Sequence, residues 1–114
     1  MQVQEIASKV LKTGKGVRVV TVCDMNGKIV YSARPKSIKI LLGADDSKTS
    51  LRNAARQWRA RKALARKIGQ CRYVLAHYEK VKRITMPAGK NHLLFITTSN
   101  SFDHMKIVRK VRRL

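Results

Sequence analysis

Two runs rich in β-branched residues flank a short turn signal near the start of the chain. Residues 17–23 are rich in Val and Thr, and residues 28–33 follow with Ile29 and Tyr31 predicted on one face. The turn between them contains Asn26-Gly27, a pair that readily adopts the positive φ angles of a tight hairpin turn. The sequence therefore predicts a β-hairpin, and with it a fold built on a sheet.

Helical spacing of apolar residues marks one segment before this hairpin and two after it. The first helix is predicted near residues 3–11. The second runs from about Lys48 to Ile68, with Ser47 as its N-cap and Gly69 as its C-terminal stop. The third follows Ser101, which is predicted to cap it. The apolar stripe of this last helix is expected to consist of Phe102, Met105, Val108 and Leu114.

Three further strands are predicted between the second and third helices, over residues 71–78, 81–86 and 92–98. Pro87 and Gly89 assign residues 87–91 to a loop. The element order is α-β-β-α-β-β-β-α. It predicts one α+β domain over residues 1–114, with a central antiparallel five-stranded sheet.

The charge balance limits the function classes that fit the chain. It has 26 Lys and Arg against 6 Asp and Glu, for a formal net charge of +20. Concentrating that charge on one small domain costs self-repulsion, and a polyanionic partner relieves it. Nucleic acid is the predicted partner, while an anionic membrane and an acidic protein are the alternatives.

The long helix divides into an apolar face and a basic stripe without a carboxylate between Lys48 and Ile68. The predicted core face comprises Leu51, Ala54, Ala55, Trp58, Ala65 and Ile68. Like charges one helical turn apart repel each other, so the stripe is interpreted as a surface that contacts phosphates. The full set of candidate contact residues is Lys48, Arg52, Arg56, Arg59, Lys62, Arg66, Lys67, Lys82, Arg109, Lys110, Arg112 and Arg113. Lys82 and Arg83 are predicted to point to opposite sides of a strand.

Catalytic and cofactor chemistry find no support in the sequence. His77, His92 and His104 stand apart without acids at metal-ligand spacing, and six acids make a catalytic carboxylate pair improbable. We therefore predict no metal, no cofactor and no enzymatic activity. Cys23 and Cys71 are expected to be buried and reduced. Without a membrane-spanning run or a signal peptide, the protein is predicted to be cytoplasmic.

The element order, the hairpin at residues 17–33 and the long helix before three strands resemble the roadblock (dynein light chain) fold, which is related to profilin-like domains. Residues 78–87 also resemble a segment of small archaeal proteins of that type. The resemblance implies a protein that is not itself an enzyme and dimerises through its long helix and a neighbouring strand. It also implies a role as a scaffold or as a regulator of small GTPases.

Two hypotheses follow from the sequence. The main one is a non-enzymatic nucleic-acid-binding protein with little sequence preference, in which RNA, including ribosome-associated RNA, is slightly favoured over DNA. The alternative is a dimeric roadblock-type scaffold that regulates a small GTPase or another acidic protein. Arginines at the seam of such a homodimer would repel each other. The positive charge of the long helix therefore disfavours the dimer that is usual for the family.

Overall fold

The computed structural model describes residues 2–114. Along the chain its elements are α1 Val3–Leu11, β1 Val17–Asp24, β2 Ile29–Ala33, α2 Ala44–Lys62, α3 Ala65–Ile68, β3 Val74–His77, β4 Val81–Ala88, β5 His92–Ser99 and α4 Met105–Arg112. The predicted order of helices and strands is confirmed, with the short α3 split off from the end of the long helix.

The five strands form one antiparallel sheet in the order β2-β1-β5-β4-β3. The central strands β1 and β5 are covered on both faces, and β5 accordingly buries consecutive residues instead of alternate ones. The edge strands are β2 and β3, at opposite ends of the sheet. The predicted α+β class and the five-stranded antiparallel sheet are confirmed.

The predicted hairpin joins β1 to β2. The Asp24 carboxylate accepts hydrogen bonds from the backbone N–H groups of Lys28 (3.0 Å) and Asn26 (2.9 Å), and these two bonds lower the pKa of Asp24 below its usual value. Gly27 takes the expected positive φ, at 86°. Ile29 and Tyr31 do not share a face, however. A register shift between Val22 and Cys23 inserts an extra residue in β2 and turns the two side chains to opposite sides of the sheet.

Helices cover both faces of the sheet. On one face, α1 and α4 pack on side chains of β1, β4 and β5, among them the fully buried Val20, Ile84 and Leu94. On the other face, α2 alone packs on the ends of β1 and β5, through a smaller cluster that includes Trp58 and Leu93. We call these the closed face and the α2 face.

The long helix differs from its prediction at both ends. It starts three residues before Ser47, with Gly43 as N-cap, which places Asp45 and Asp46 in the first turn, where carboxylates are stabilised by the helix dipole. It stops at Lys62, where the N–H groups of the next two residues bond three residues back instead of four. Ile68, in the separate helix α3 after this break, is 79% exposed instead of lying on the core face.

The remaining boundaries also shift. β3 begins at Val74 and not at residue 71, while β4 continues through Pro87 instead of ending before it in a loop. Proline is tolerated there because β3 pairs with β4 only as far as Thr85, so Pro87 needs no N–H on that side. The last helix begins at Met105, whose N–H bonds the Asp103 carboxylate (3.0 Å), so Ser101 is not its cap. Leu114 of the predicted apolar stripe is exposed.

Candidate protein-interaction surface

The α2 helix is the most polar element that lies against the sheet, and its burial is confined to a narrow stripe. Leu51, Ala55 and Trp58 are its buried residues, and they contact Cys23, Leu93 and Phe95. Of the predicted core face, Ala54 and Ala65 are only half-buried. The stripe leaves two flanks of the helix uncovered, and these flanks differ in charge.

One flank, which we call the basic flank, carries Lys48, Arg52, Arg56 and Arg59, all of them exposed. It lies beside the β1–β2 turn. A Cβ atom built on Gly27 would be 2.8 Å from Arg52 Cα, and Arg59 Nη1 donates a hydrogen bond of 2.5 Å to the Met25 carbonyl. The hairpin glycine therefore permits close packing of the turn on the helix, and one arginine of the basic flank holds that turn.

No carboxylate neutralises the basic flank. Within residues 2–114 the structure has one ion pair, Arg109–Asp103 at 3.7 Å, and it lies on α4. Arg56 donates instead to the Asn53 side-chain oxygen, at 2.8 Å. The positive charges that the sequence placed on the long helix are thus free to meet an anionic partner.

The other flank, which we call the neutral flank, consists of Ser50, Asn53, Ala54 and Gln57. It forms one wall of a groove of about 390 Å³ whose opposite wall comes from β3 and β4. Asp46 and Arg83 are the charged residues among those that line it, and their charges are opposite in sign. Arg83 donates to Ser50 Oγ at 2.5 Å, which ties β4 to the helix. Arg52, Arg56 and Arg59 of the basic flank do not line this groove.

The predicted basic residues do not form one surface. Lys62, Arg66 and Lys67 extend the exposed charge at the end of α2 and along α3, on the α2 face. The exposed residues Arg109, Lys110, Arg112 and Arg113 belong to α4, on the closed face of the sheet. There a groove between α1 and α4 brings Lys9 and Lys12 next to the α4 cations. No sequence pattern pointed to these two lysines, because the pairing of α1 with α4 is a tertiary contact.

Lys82 is a correction to the predicted contact residues. It is 7% exposed, and its ammonium donates to the Phe102 carbonyl and lies 3.4 Å from His104 Nδ1. A buried lysine is retained where its N–H groups find acceptors, and here it fastens β4 to the segment before α4. Lys82 and Arg83 do point to opposite faces, as predicted.

Groups that could support catalysis are scattered or unreactive. Among residues 2–114 no three His, Cys, Asp or Glu side chains gather as metal ligands would. Burial, with a smaller contribution from Asp24, raises the pKa of the Cys23 thiol to about 12, so this cysteine stays protonated. Cys71 is half-buried instead of buried. Nor does any helix in this part of the chain have the length and apolar character needed to cross a membrane.

Solved structures of the same shape are found in several bacteria. The gliding protein MglB from Thermus thermophilus matches 96% of this chain over 80% of its own, with a TM-score of 0.77 and 18% identity. A Roadblock/LC7 domain from Streptomyces avermitilis matches 99% of this chain over 91% of its own, with a TM-score of 0.74 and 13% identity. MglC from Myxococcus xanthus matches 99% of this chain over 92% of its own, with a TM-score of 0.64 and 16% identity. No protein-family model and no curated protein matches the sequence.

These comparisons overturn nucleic-acid binding as the main functional prediction, and RNA binding, DNA binding and ribosome association with it. The similar structures reported above are named as MglB, MglC or a Roadblock/LC7 domain, and none is named as a nucleic-acid-binding protein. The charge argument failed because a basic surface identifies an anionic partner without saying which kind. The resemblance to archaeal proteins stays a prediction. The resemblance to the roadblock fold is confirmed: this chain has the Roadblock/LC7 fold.

Proposed function

We propose that this protein is a dimeric, non-enzymatic scaffold of the cytoplasm that regulates a small GTPase or another acidic protein. The proposal is supported by the fold, since the resemblance to roadblock proteins implies dimerisation through the long helix and a neighbouring strand. Another supporting similarity is an MglB structure with a tetrameric arrangement, which has a TM-score of 0.78 at 18% identity. Association between copies is thus found among proteins of this shape.

The observation that carries the proposal is the difference between the two flanks of α2. The groove beside the neutral flank is bounded by the edge strand β3, which pairs with β4 alone. A second copy that met this chain here would face Asn53, Ala54 and Gln57 of the helix, with Asp46 and Arg83 as the charged residues of the groove. Repulsion at the dimer seam would be reduced, because Arg52 and Arg59 lie on the turn side of the helix. Arg56 donates to Asn53 at 2.8 Å and so lies between the two flanks.

The basic flank supplies the surface for the acidic partner. Its arginines are exposed, lack carboxylate partners and present forked guanidinium groups that bind carboxylates through two hydrogen bonds. In a dimer formed through the neutral flank, each copy would keep this surface free. Electrostatic attraction of this kind acts chiefly on the association rate and on partner choice.

The dimer is tested by placing a charge in the groove of the neutral flank. Ala54→Arg should weaken self-association at least about tenfold, because it buries like charges at the seam. Ala63→Arg is the control, since Ala63 is an exposed alanine at the C-cap of the same helix and lies on the side of the basic flank. The masses would be measured by size-exclusion chromatography with light scattering. A wild-type monomer at all concentrations, or equal effects of both variants, would contradict the proposal.

The partner is tested with purified small GTPases, each loaded with GDP or with a non-hydrolysable GTP analogue. The double variant Arg52→Glu/Arg56→Glu should lose binding and any effect on GTP hydrolysis, while Arg112→Glu/Arg113→Glu, with the same change in net charge on the α4 side, should retain both. Equal losses in the two double variants would indicate attraction by net charge alone.

A further inference from the structure

A second groove lies on the α2 face, at the β2 end of the sheet. The long helix does not cover this end, and the segment between β2 and α2 arches over it. The groove measures about 400 Å³, and its floor includes Val19, Thr21 and Thr97 of the sheet. Its lining extends as far as Val81 and Arg83 of β4 but includes no residue of β3, and it shares Arg83 and Phe95 with the groove beside the neutral flank.

The rim of this groove is apolar and exposed. Ile40, Leu41 and Leu42 of the arching segment are 57, 49 and 41% exposed, and Ile29 of β2 is 43% exposed. All four line the groove. Aliphatic side chains exposed together in this way mark a contact surface more often than isolated ones do.

Arginines stand at the same groove and have spare donors. Arg18 Nη2 donates to the Lys39 carbonyl at 3.1 Å, and Arg34 Nη1 donates to the Ile38 carbonyl at 3.2 Å. These bonds hold the arching segment in place. A guanidinium has five N–H donors, and no ion pair within residues 2–114 engages either arginine. Each arginine is thereby positioned beside the aliphatic rim, with donors left for an acceptor from outside the chain.

We propose that this groove binds a short acidic–aliphatic segment of a partner protein. Aliphatic side chains of the segment would cover the Ile40–Leu42 rim, and its carboxylates would accept hydrogen bonds from Arg18 and Arg34. Charge complementarity selects this occupant. The four cations that line the groove, Arg18, Arg34, Lys39 and Arg83, favour an acidic segment and disfavour a basic one. The site goes beyond the proposed scaffold function and does not require the dimer.

The test uses three fluorescein-labelled peptides of equal length, of alternating leucine and glutamate, leucine and lysine, or serine and glutamate. Fluorescence polarisation should show the leucine–glutamate peptide binding at least about tenfold more tightly than the other two. Equal affinity for the serine–glutamate peptide would overturn the proposal, because net charge would then explain the binding.

Two variants at the groove and one away from it locate the site. Leu41→Ser and Arg34→Glu should each lower the affinity for the leucine–glutamate peptide at least about fivefold. Lys110→Glu on α4 should keep that affinity within about twofold of the wild type. All three residues are exposed, so the core should persist. Arg34→Glu also removes the hydrogen bond to the Ile38 carbonyl, so Leu41→Ser decides the outcome. Unchanged binding in Leu41→Ser would overturn the proposal. Ala54→Arg, which is designed to break the dimer, should bind the leucine–glutamate peptide with the affinity of the wild type. A failure of this site is therefore distinguishable from a failure of the dimer.

Discussion

The two faces of the sheet are built to different degrees of closure. On the closed face, α1 and α4 together bury side chains from three strands in one continuous cluster. On the α2 face, a single helix covers the middle of the sheet and leaves a groove on each side of it, one beside β3 and one beside β2. From this difference we infer that the closed face supplies most of the stability and that the α2 face supplies the sites for partners.

The largest expected effect comes from a matched pair of core substitutions in β5, which tests whether the closed face supplies most of the stability. Leu93 and Leu94 are neighbours, both fully buried, and they point to the α2 face and the closed face respectively. Leu94→Ala should lower the free energy of unfolding by about 4 kcal/mol and Leu93→Ala by about 3 kcal/mol, because the smaller cluster around Leu93 relaxes more easily around a cavity. Urea denaturation measures both. A larger loss for Leu93→Ala would contradict the view that the closed face supplies most of the stability.

A smaller effect is expected where the hairpin turn meets α2. Gly27→Ala adds a Cβ atom at a positive φ and within 2.8 Å of Arg52 Cα and the Leu51 carbonyl oxygen. It should cost about 2–3 kcal/mol by denaturation, from backbone strain and displacement of the helix. Gly69→Ala is the matched control, since Gly69 has the same positive φ, 87°, and nothing lies within 4 Å of its added Cβ. Similar losses at both glycines would show that the turn does not set the position of the helix.

The smallest effect concerns the same turn at low pH. Hydrogen bonds from the Lys28 and Asn26 N–H groups hold the pKa of Asp24 below its ordinary 3.8. The stabilisation is therefore complete above that pH and is lost as the pH falls through the folded-state pKa. Asp24→Asn should remove this part of the acid dependence, which denaturation curves between about pH 5 and pH 2 would detect. An identical acid dependence in both proteins would mean that the turn carboxylate carries none of it.

Local signals in the sequence were enough for the hairpin and for the order of elements. Asn26-Gly27 defined the turn, and apolar spacing defined the helices, because both depend on nearby residues alone. The predicted helix start was wrong because Ser47 matches a cap, whereas Gly43 lets two aspartates enter the first turn. Pro87 continues β4 only because its neighbour β3 begins late, which is a tertiary fact.

The candidate site was predictable in part. Helical spacing correctly placed Arg52, Arg56 and Arg59 on one exposed side of α2, but it could not say whether that side adjoins the β1–β2 turn or the edge strand β3. The burial of Lys82 could not be predicted from the sequence either, because its acceptors come from a segment 20 residues away. Net charge pointed to nucleic acid because charge alone carries no information about which proteins share the fold.

The position of the arginines relative to the dimer seam is the central claim, and one measurement addresses it directly. Sedimentation equilibrium would give the dimer dissociation constant of the wild type, of Arg52→Glu on the basic flank and of Lys110→Glu on α4, two variants with the same net charge. If the basic flank lies outside the seam, the two variants should agree within about twofold. A dimer at least about tenfold tighter in Arg52→Glu than in Lys110→Glu would place the arginines at the seam and contradict the account.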